Sequence, residues 1–145
     1  MKRIMIGLVT AWAVSQAVAS EGWLTDVPKA LEKAKTEKKA VMLDFTGSDW
    51  CGWCKRLDKE VFSTSKFKEY SAKNLVLVEV DFPERKKLSP ELVKANEGLK
   101  NKYKVDGFPT LVVLNEEGRE IGRQSGYLAG GPKAFIAKLE SFKKK

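Results

Sequence analysis

Apolar residues recur at helical spacing in several stretches of the chain, with lysines and glutamates at the positions between them. Such spacing predicts amphipathic helices, because residues three and four apart share one face of a helix. Thr25 or Asp26 is placed to cap the first of these helices, with Pro28 in its first turn. The predicted helices cover residues 23–38, 55–62 and 63–70, and two later segments that begin near Pro90 and Pro132.

Three shorter apolar runs, at residues 40–45, 75–82 and 111–114, predict strands because charged or turn-forming residues bound them. A turn signal at residues 115–118 and a short run around residues 120–124 predict that the last of these strands belongs to a hairpin. Strands that alternate with helices predict a single α/β domain, with a central mixed sheet flanked by helices.

Residues 1–19 have the pattern of a secretory signal peptide. Lys2 and Arg3 form its basic start, residues 4–14 are mostly apolar, and residues 17–19 supply small side chains for cleavage. The apolar run is too short to cross a bilayer. We therefore expect a periplasmic or secreted protein, with a domain at residues 20–145 and no stable membrane insertion after processing. An uncleaved membrane anchor is the alternative.

Composition and charge narrow the class of protein. Hydrophobic residues make up 43% of the chain and aromatic residues 10%, which predicts a globular protein. The net charge of +8 becomes +6 when the segment with Lys2 and Arg3 is removed. Basic residues are spread over the predicted helix surfaces and a tail at residues 143–145, and they do not alternate with aromatic residues on one face. This pattern indicates a solvated surface and argues against nucleic-acid binding.

Cys51 and Cys54, the only cysteines of the chain, lie between a predicted strand and a predicted helix. A Cys-x-x-Cys pair in this position is typical of a redox motif. The free N–H groups and the dipole of a helix start stabilise a thiolate on the first cysteine, and the thiolate is the nucleophile in disulfide exchange. One alternative is a zinc site, but it needs two further ligands and the chain has no histidine. Another is an inert structural disulfide, although so small a ring stabilises a fold little.

Three short motifs accompany the predicted elements: Asp44-Phe45, Trp50-Cys51-Gly52-Trp53-Cys54-Lys55 and Gly107-Phe108-Pro109-Thr110. Together with the order of helices and strands, they resemble the thioredoxin superfamily over nearly all of residues 21–145. Within that superfamily the chain is most similar to periplasmic thiol–disulfide interchange proteins of the Dsb type. The resemblance implies a thioredoxin fold and disulfide exchange, and we expect neither a cofactor nor a metal.

The resemblance also implies roles for individual residues. Cys51 corresponds to the nucleophile, and Cys54 to the cysteine that resolves the mixed disulfide. Trp50 corresponds to the tryptophan packed beside the disulfide. Pro109 corresponds to the cis-proline that lies against the cysteines and offers backbone pairing to a bound peptide. From the residues alone, Pro109 also fits a trans proline at the start of an edge strand.

Asp44 corresponds to the buried aspartate that helps to move the proton of the resolving cysteine in thioredoxins. The turn between Asp44 and Trp50 is one residue longer than in thioredoxin, and Glu79 replaces a lysine of the next strand. Two buried carboxylates would raise each other's pKa, and a raised pKa suits a general acid and base. The alternative is a hydrogen-bonded aspartate at a strand end without a catalytic role.

Gly52, Trp53 and Phe108 complete the expected contact surface for a substrate. We expect Trp53 to face solvent beside Cys51 as an apolar contact, and a core position is its alternative. Phe108 is expected to flank the same groove. The kinking proline that usually follows the second cysteine is absent, and Lys59 lies in that region.

The segment at residues 82–101 is longer than its counterpart in thioredoxin. A longer segment at this place would form a partner-specific surface. The helix that begins at Pro90 is expected to have a buried apolar stripe marked by Leu88, Leu92, Ala95 and Leu99.

The chain has no histidine, either between the cysteines or elsewhere. Strong disulfide oxidants stabilise their reduced thiolate, often with a histidine at that place. We therefore expect a protein-disulfide reductase, with a Cys51 pKa modestly below that of free cysteine. Its expected partners are exported proteins with disulfides and a membrane electron donor. The alternatives are a disulfide isomerase or oxidase of the same fold, and a peptide-binding module with incidental redox activity.

Overall fold

The computed structural model describes residues 21–144, so the predicted signal peptide at residues 1–19 lies outside the described part of the chain. The strands are β1 (Trp23–Leu24), β2 (Ala40–Thr46), β3 (Leu75–Asp81), β4 (Thr110–Leu114) and β5 (Glu120–Ser125). The helices are α1 (Val27–Glu37), α2 (Gly52–Leu57), a π-helix (Asp58–Phe62), α3 (Ser65–Asn74), α4 (Pro90–Lys102) and α5 (Gly131–Lys143). None of these helices is long and apolar enough to span a membrane.

The strands form a five-stranded mixed sheet in the order β1-β3-β2-β4-β5. β1, β3 and β2 run parallel, whereas β4 is antiparallel to both of its neighbours. Both faces are covered: Leu43 of β2 lies in a buried cluster with residues of α1, and Met42 lies in a second cluster with residues of α3 and α5. The central strand is apolar at successive positions because each face is buried. This architecture confirms the predicted α/β thioredoxin fold.

The first predicted helix begins later than expected. Asp26 has an extended backbone, and its carboxylate accepts a hydrogen bond from the Lys29 N–H at 3.0 Å, which caps α1. Trp23 and Leu24 instead pair with β3 as a short parallel strand. The prediction of a helix from Trp23 is wrong because pairing with a strand distant in sequence decides the conformation of this segment.

The helix after the cysteine pair begins between the two cysteines, earlier than predicted, and continues into a π-helix. Lys59, in the region where thioredoxins carry a kinking proline, lies within the π-helix. A π-turn contains one residue more than an α-turn and changes the direction of the side chains that follow it. Val61 and Phe62 are buried in the core, and Asp58 borders a polar cavity.

Helix α4 packs less deeply than its apolar stripe predicts. Leu92 and Leu99 are half-buried, Ala95 is exposed, and Asn96 is the buried residue of this helix. Val93, which lies outside the predicted stripe, is 48% exposed. The expected burial of Ala95 is therefore wrong, and α4 leaves apolar side chains at the surface.

Two glycines give opposite predictions for replacement by alanine. A Cβ at Gly122 in β5 would overlap the ring of Phe142 in α5, so Gly122→Ala should lower the free energy of unfolding by about 1–3 kcal/mol. A Cβ at Gly98 in α4 meets no neighbour, so Gly98→Ala should raise that free energy by about 0.5–1 kcal/mol. Urea unfolding measures both variants. Equal stability of the two variants and the wild type would contradict the packing of α5 on β5.

Candidate active site

The cysteine pair lies between the end of β2 and the start of α2. Cys51 is the N-cap residue of α2, and its Sγ accepts a hydrogen bond from the Cys54 N–H at 3.2 Å. The two cysteines form a disulfide bond, and their side chains are buried. N–H groups at a helix start favour the thiolate of this first cysteine after reduction of the disulfide. Both residues occupy the strand-to-helix position that the sequence predicts.

Two aspartates fix the turn that leads to Cys51. The Asp81 carboxylate accepts hydrogen bonds from the N–H of Ser48 at 2.9 Å and from its hydroxyl at 2.5 Å. Asp49 accepts three backbone N–H groups, from residues 84–86, at 2.8–2.9 Å. These backbone hydrogen bonds lower the pKa of Asp49 to about 2. The motifs do not identify this anchoring, although serine and aspartate are common in turns for this reason.

Trp50 is held against the connection that follows β3. Its indole Nε1 donates a hydrogen bond to the carbonyl of Phe82 at 2.7 Å, and its ring lies edge-on to Phe108 at 5.9 Å. A Cβ at Gly47 would overlap the indole, so glycine at this position lets the ring lie on the turn. Trp50 remains 39% exposed, which leaves part of the ring open beside the cysteine-bearing turn.

The Phe108–Pro109 peptide bond is cis, as the resemblance implies. Pro109 is buried, and its carbonyl accepts a hydrogen bond from the Gly126 N–H at 2.8 Å, which ties this loop to the end of β5. Phe108 packs between two aromatic rings, with the Phe82 ring stacked on it at 5.1 Å. Phe108 therefore lies in an aromatic row with Trp50 and Phe82.

Trp53, between the cysteines, is 55% exposed, so it faces solvent as predicted and is not a core residue. Its ring lies 5.2 Å from the ring of Tyr127, in the turn after β5. The guanidinium of Arg56 lies over both rings, at 5.5 Å from Trp53 and 5.0 Å from Tyr127. The exposed indole is therefore supported on one side by a tyrosine and an arginine.

Glu60 of the π-helix completes this support. It pairs with Arg56 at 2.8 Å and accepts a hydrogen bond from the Tyr127 hydroxyl. These two hydrogen bonds, with that of Tyr127 the larger, lower the pKa of Glu60. The spacing of Arg56 and Glu60 is a recognisable helical pair, but the contact with Tyr127 joins distant segments and has no signal in the sequence.

A pair of carboxylates lies behind the disulfide. Asp44 of β2 and Glu79 of β3 are partners in the parallel register, as the resemblance suggests. Asp44 is buried, and its Oδ1 has no hydrogen-bond partner among residues 21–144. Both residues border a polar cavity of about 250 Å3, together with Cys54 and Asp58. Asp44 and Cys54 therefore face a common cavity, which suits a transfer of a proton between them.

Burial raises the pKa of Asp44 well above its ordinary value, and the charges of Glu79, Asp58 and Asp81 raise it further. Burial also raises the pKa of Glu79, with a smaller contribution from Asp81. Asp58 belongs to none of the sequence motifs. Its place about one helical turn after Cys54 is the signal that would have identified it.

Comparisons with known proteins agree with this geometry. Residues 27–143 match the family model of the thioredoxin-like domain. The chain is 41% identical over 113 residues to the disulfide bond reductase DsbH of Chlamydia pneumoniae, in an alignment that covers 78% of this chain and 68% of that protein. The solved structure of a DsbH oxidoreductase superposes with a TM-score of 0.80 at 36% identity, over 97% of this chain and 95% of the other. The thiol:disulfide interchange protein DsbD of Vibrio cholerae is 33% identical over 111 residues, which span 75% of this chain but only 17% of that longer protein.

The raised pKa of Asp44 predicts how stability depends on pH. Between the ordinary aspartate pKa of about 4 and the higher folded-state pKa, the folded protein holds a proton that the unfolded chain has lost, so stability falls as pH rises. Asp44→Asn removes this titration. The oxidised variant should be more stable than wild type at neutral pH, and the difference should vanish near pH 4. Urea unfolding at several pH values measures it.

Asp49→Asn is a control variant, for which the expected change in stability at neutral pH has the opposite sign to that of Asp44→Asn. Because the pKa of Asp49 is lowered to about 2, its carboxylate stabilises the fold fully above the ordinary aspartate pKa of about 4, and this contribution is lost as pH falls from about 4 through the folded-state pKa of about 2. Asp49→Asn should therefore be less stable than wild type at neutral pH. Parallel pH profiles for wild type and both variants would contradict the assigned burial and hydrogen bonding.

Proposed function

This chain belongs to the thioredoxin-like domain family and is a thiol–disulfide oxidoreductase, and we propose that it reduces disulfide bonds in exported proteins. The observation that carries the proposal is the Cys51–Cys54 disulfide at the start of α2, in a chain that closely resembles a disulfide bond reductase. The basic and apolar start of the chain at residues 1–19 supports an exported location.

Reduction proceeds in two exchange steps. The Cys51 thiolate of the reduced protein attacks one sulfur of a substrate disulfide, so the substrate S–S bond breaks, a mixed disulfide forms and one substrate thiolate leaves. Cys54 then attacks the Sγ of Cys51 and releases the second substrate thiolate. Two electrons pass to the substrate, and the protein is left with the Cys51–Cys54 disulfide. A membrane dithiol donor returns the electrons.

The second step requires Cys54 to lose its proton. Asp44 takes this proton across the cavity that both residues border. Its raised pKa matches the task better than an ordinary aspartate would, because a base with a pKa nearer neutrality holds the proton longer. Asp58 and Glu79 act on this step through their charges, which favour the protonated form of Asp44.

The substrate polypeptide lies across the surface next to Cys51. Gly52 leaves space above the helix start, because nothing lies near the position of a Cβ there. Trp53 and Trp50 present exposed rings on either side, and Phe108 precedes the cis-Pro109. These residues provide apolar contacts and leave backbone groups next to the proline for pairing with an extended peptide.

The direction of electron flow follows from the groups around Cys51. The chain has no histidine to stabilise the reduced thiolate strongly, and Trp53 is neutral. A moderately stabilised thiolate makes the disulfide form more stable relative to the dithiol than it is in a strong oxidant. The protein therefore donates electrons to substrate disulfides.

Insulin reduction with dithiothreitol tests this activity. Substoichiometric wild-type protein should accelerate the reduction, and Cys51→Ala should abolish the acceleration because it removes the attacking thiolate. In a separate incubation with insulin from which dithiothreitol is omitted, reduced Cys54→Ser should accumulate a mixed disulfide with insulin, and excess thiol should then release it. Gly98→Ala, a surface change in α4, serves as the control and should retain the wild-type rate. A wild-type rate equal to that of Cys51→Ala would contradict the proposal.

A further inference from the structure

A groove of about 370 Å3 lies between α4 and the connection that leads into it from β3. Its apolar lining comes from Phe82, Pro83, Leu88 and Val93, and polar and charged residues complete its walls. Val93 is 48% exposed, and Leu88 is half-buried. The groove therefore offers partly exposed apolar surface to a partner beside α4.

An aromatic row connects this groove with the cysteine-bearing turn. Phe82, which forms a wall of the groove, stacks on Phe108 at 5.1 Å, and Phe108 meets the edge of Trp50 at 5.9 Å. The Trp50 indole also donates a hydrogen bond to the Phe82 carbonyl. The row therefore joins the groove to the surface beside the cis-proline through contacting aromatic rings.

A buried acceptor lies at the groove. Asn96 borders it and is 1% exposed. Its Nδ2 donates a hydrogen bond to the Asp81 carbonyl at 3.0 Å, but its Oδ1 has no partner among residues 21–144. Buried carboxamide oxygens are rarely left without a donor.

The charges around the groove favour an acidic occupant. Within the described part of the chain, Lys86 pairs with Asp81 at 3.6 Å, whereas Lys87 and Lys100 pair with no carboxylate. The Lys100 ammonium lies over the rings of Phe82 and Phe108, at 5.5 and 5.8 Å. Among the described residues that line the groove, Lys87 and Glu97 are unpaired, and Lys100 adds a positive charge beside them over the ring of Phe82. Over residues 82–104 the chain has seven lysines and arginines and only three glutamates.

We infer that this groove is a second substrate subsite, which binds an apolar side chain flanked by carboxylates in the protein whose disulfide is reduced. The inference rests on the proposed reductase function and adds a substrate preference to it. Phe82 and Val93 contact the apolar side chain, and Lys87 and Lys100 pair with the neighbouring carboxylates. The segment at residues 82–101 selects among substrates in this way, while the cysteine pair carries out the exchange.

The test compares the rates at which the reduced protein reduces two disulfide-bridged peptides. One peptide carries a leucine between glutamates and the other a leucine between lysines, each joined to its cysteine by glycine–serine linkers of several lengths. Oxidised glutathione is the third substrate; it carries neither the leucine segment nor a linker, so it reports the exchange chemistry alone. At physiological salt, wild type should reduce the acidic peptide at least about fivefold faster than the basic peptide at the best linker length.

Val93→Glu places a negative charge in the groove, and Lys87→Glu reverses a charge at its rim. Both variants should lose most of the preference for the acidic peptide. Lys94→Glu is the matched control for Lys87→Glu, because it reverses the charge of a lysine at an exposed position of α4 that does not border the groove. Its preference should stay within about twofold of wild type, since solvent and salt screen charges that are not in contact.

Two results would overturn the subsite. One is that wild type shows no preference for the acidic peptide at any linker length. The other is that Lys94→Glu and Lys87→Glu lose this preference to the same extent. Failure of wild type to reduce all three substrates, oxidised glutathione included, would instead contradict the proposed reductase activity.

Discussion

The hydrogen bonds of Asp49 and Asp81 hold together the parts of the molecule that carry its chemistry. Asp81, at the end of β3, binds the Ser48 side of the turn, and Asp49 in that turn binds three backbone N–H groups beyond β3. The turn before Cys51 and the connection at residues 82–89 are thereby joined on both sides. Since that connection also supports Trp50 and forms the groove, the cysteine pair and the surface around it are positioned as one unit.

Burial and charge act on the two sides of the disulfide in different ways. On the inner side, burial and neighbouring carboxylates raise the pKa of Asp44 and so favour its protonated form. On the outer side, Trp53 remains exposed, and its position depends on Arg56, Glu60 and Tyr127. In the proposed mechanism, the inner side affects how easily Cys54 is deprotonated, and the outer side affects which polypeptides reach Cys51. The two properties depend on separate residues and can change independently.

The features that could be predicted from sequence are those with a local pattern. The cysteine pair at a helix start, the cis-proline and the register of Asp44 with Glu79 follow from short motifs and their resemblance to thioredoxins. The strand at Trp23 and the exposure of Ala95 could not be predicted, because both depend on how distant segments pack. The contact between Trp53 and Tyr127 is also of this kind. Local periodicity reports which residues prefer a helix, but it does not report which partner a segment meets.

The reduction potential of the Cys51–Cys54 pair tests the direction of electron flow most directly. It is measured by equilibrating the protein in dithiothreitol buffers of known potential and quantifying the free thiols. A protein-disulfide reductase with this site should have a potential near that of thioredoxin, about −270 mV. A potential near that of the strong oxidant DsbA, about −120 mV, would contradict the account and indicate that the protein forms disulfides instead of reducing them.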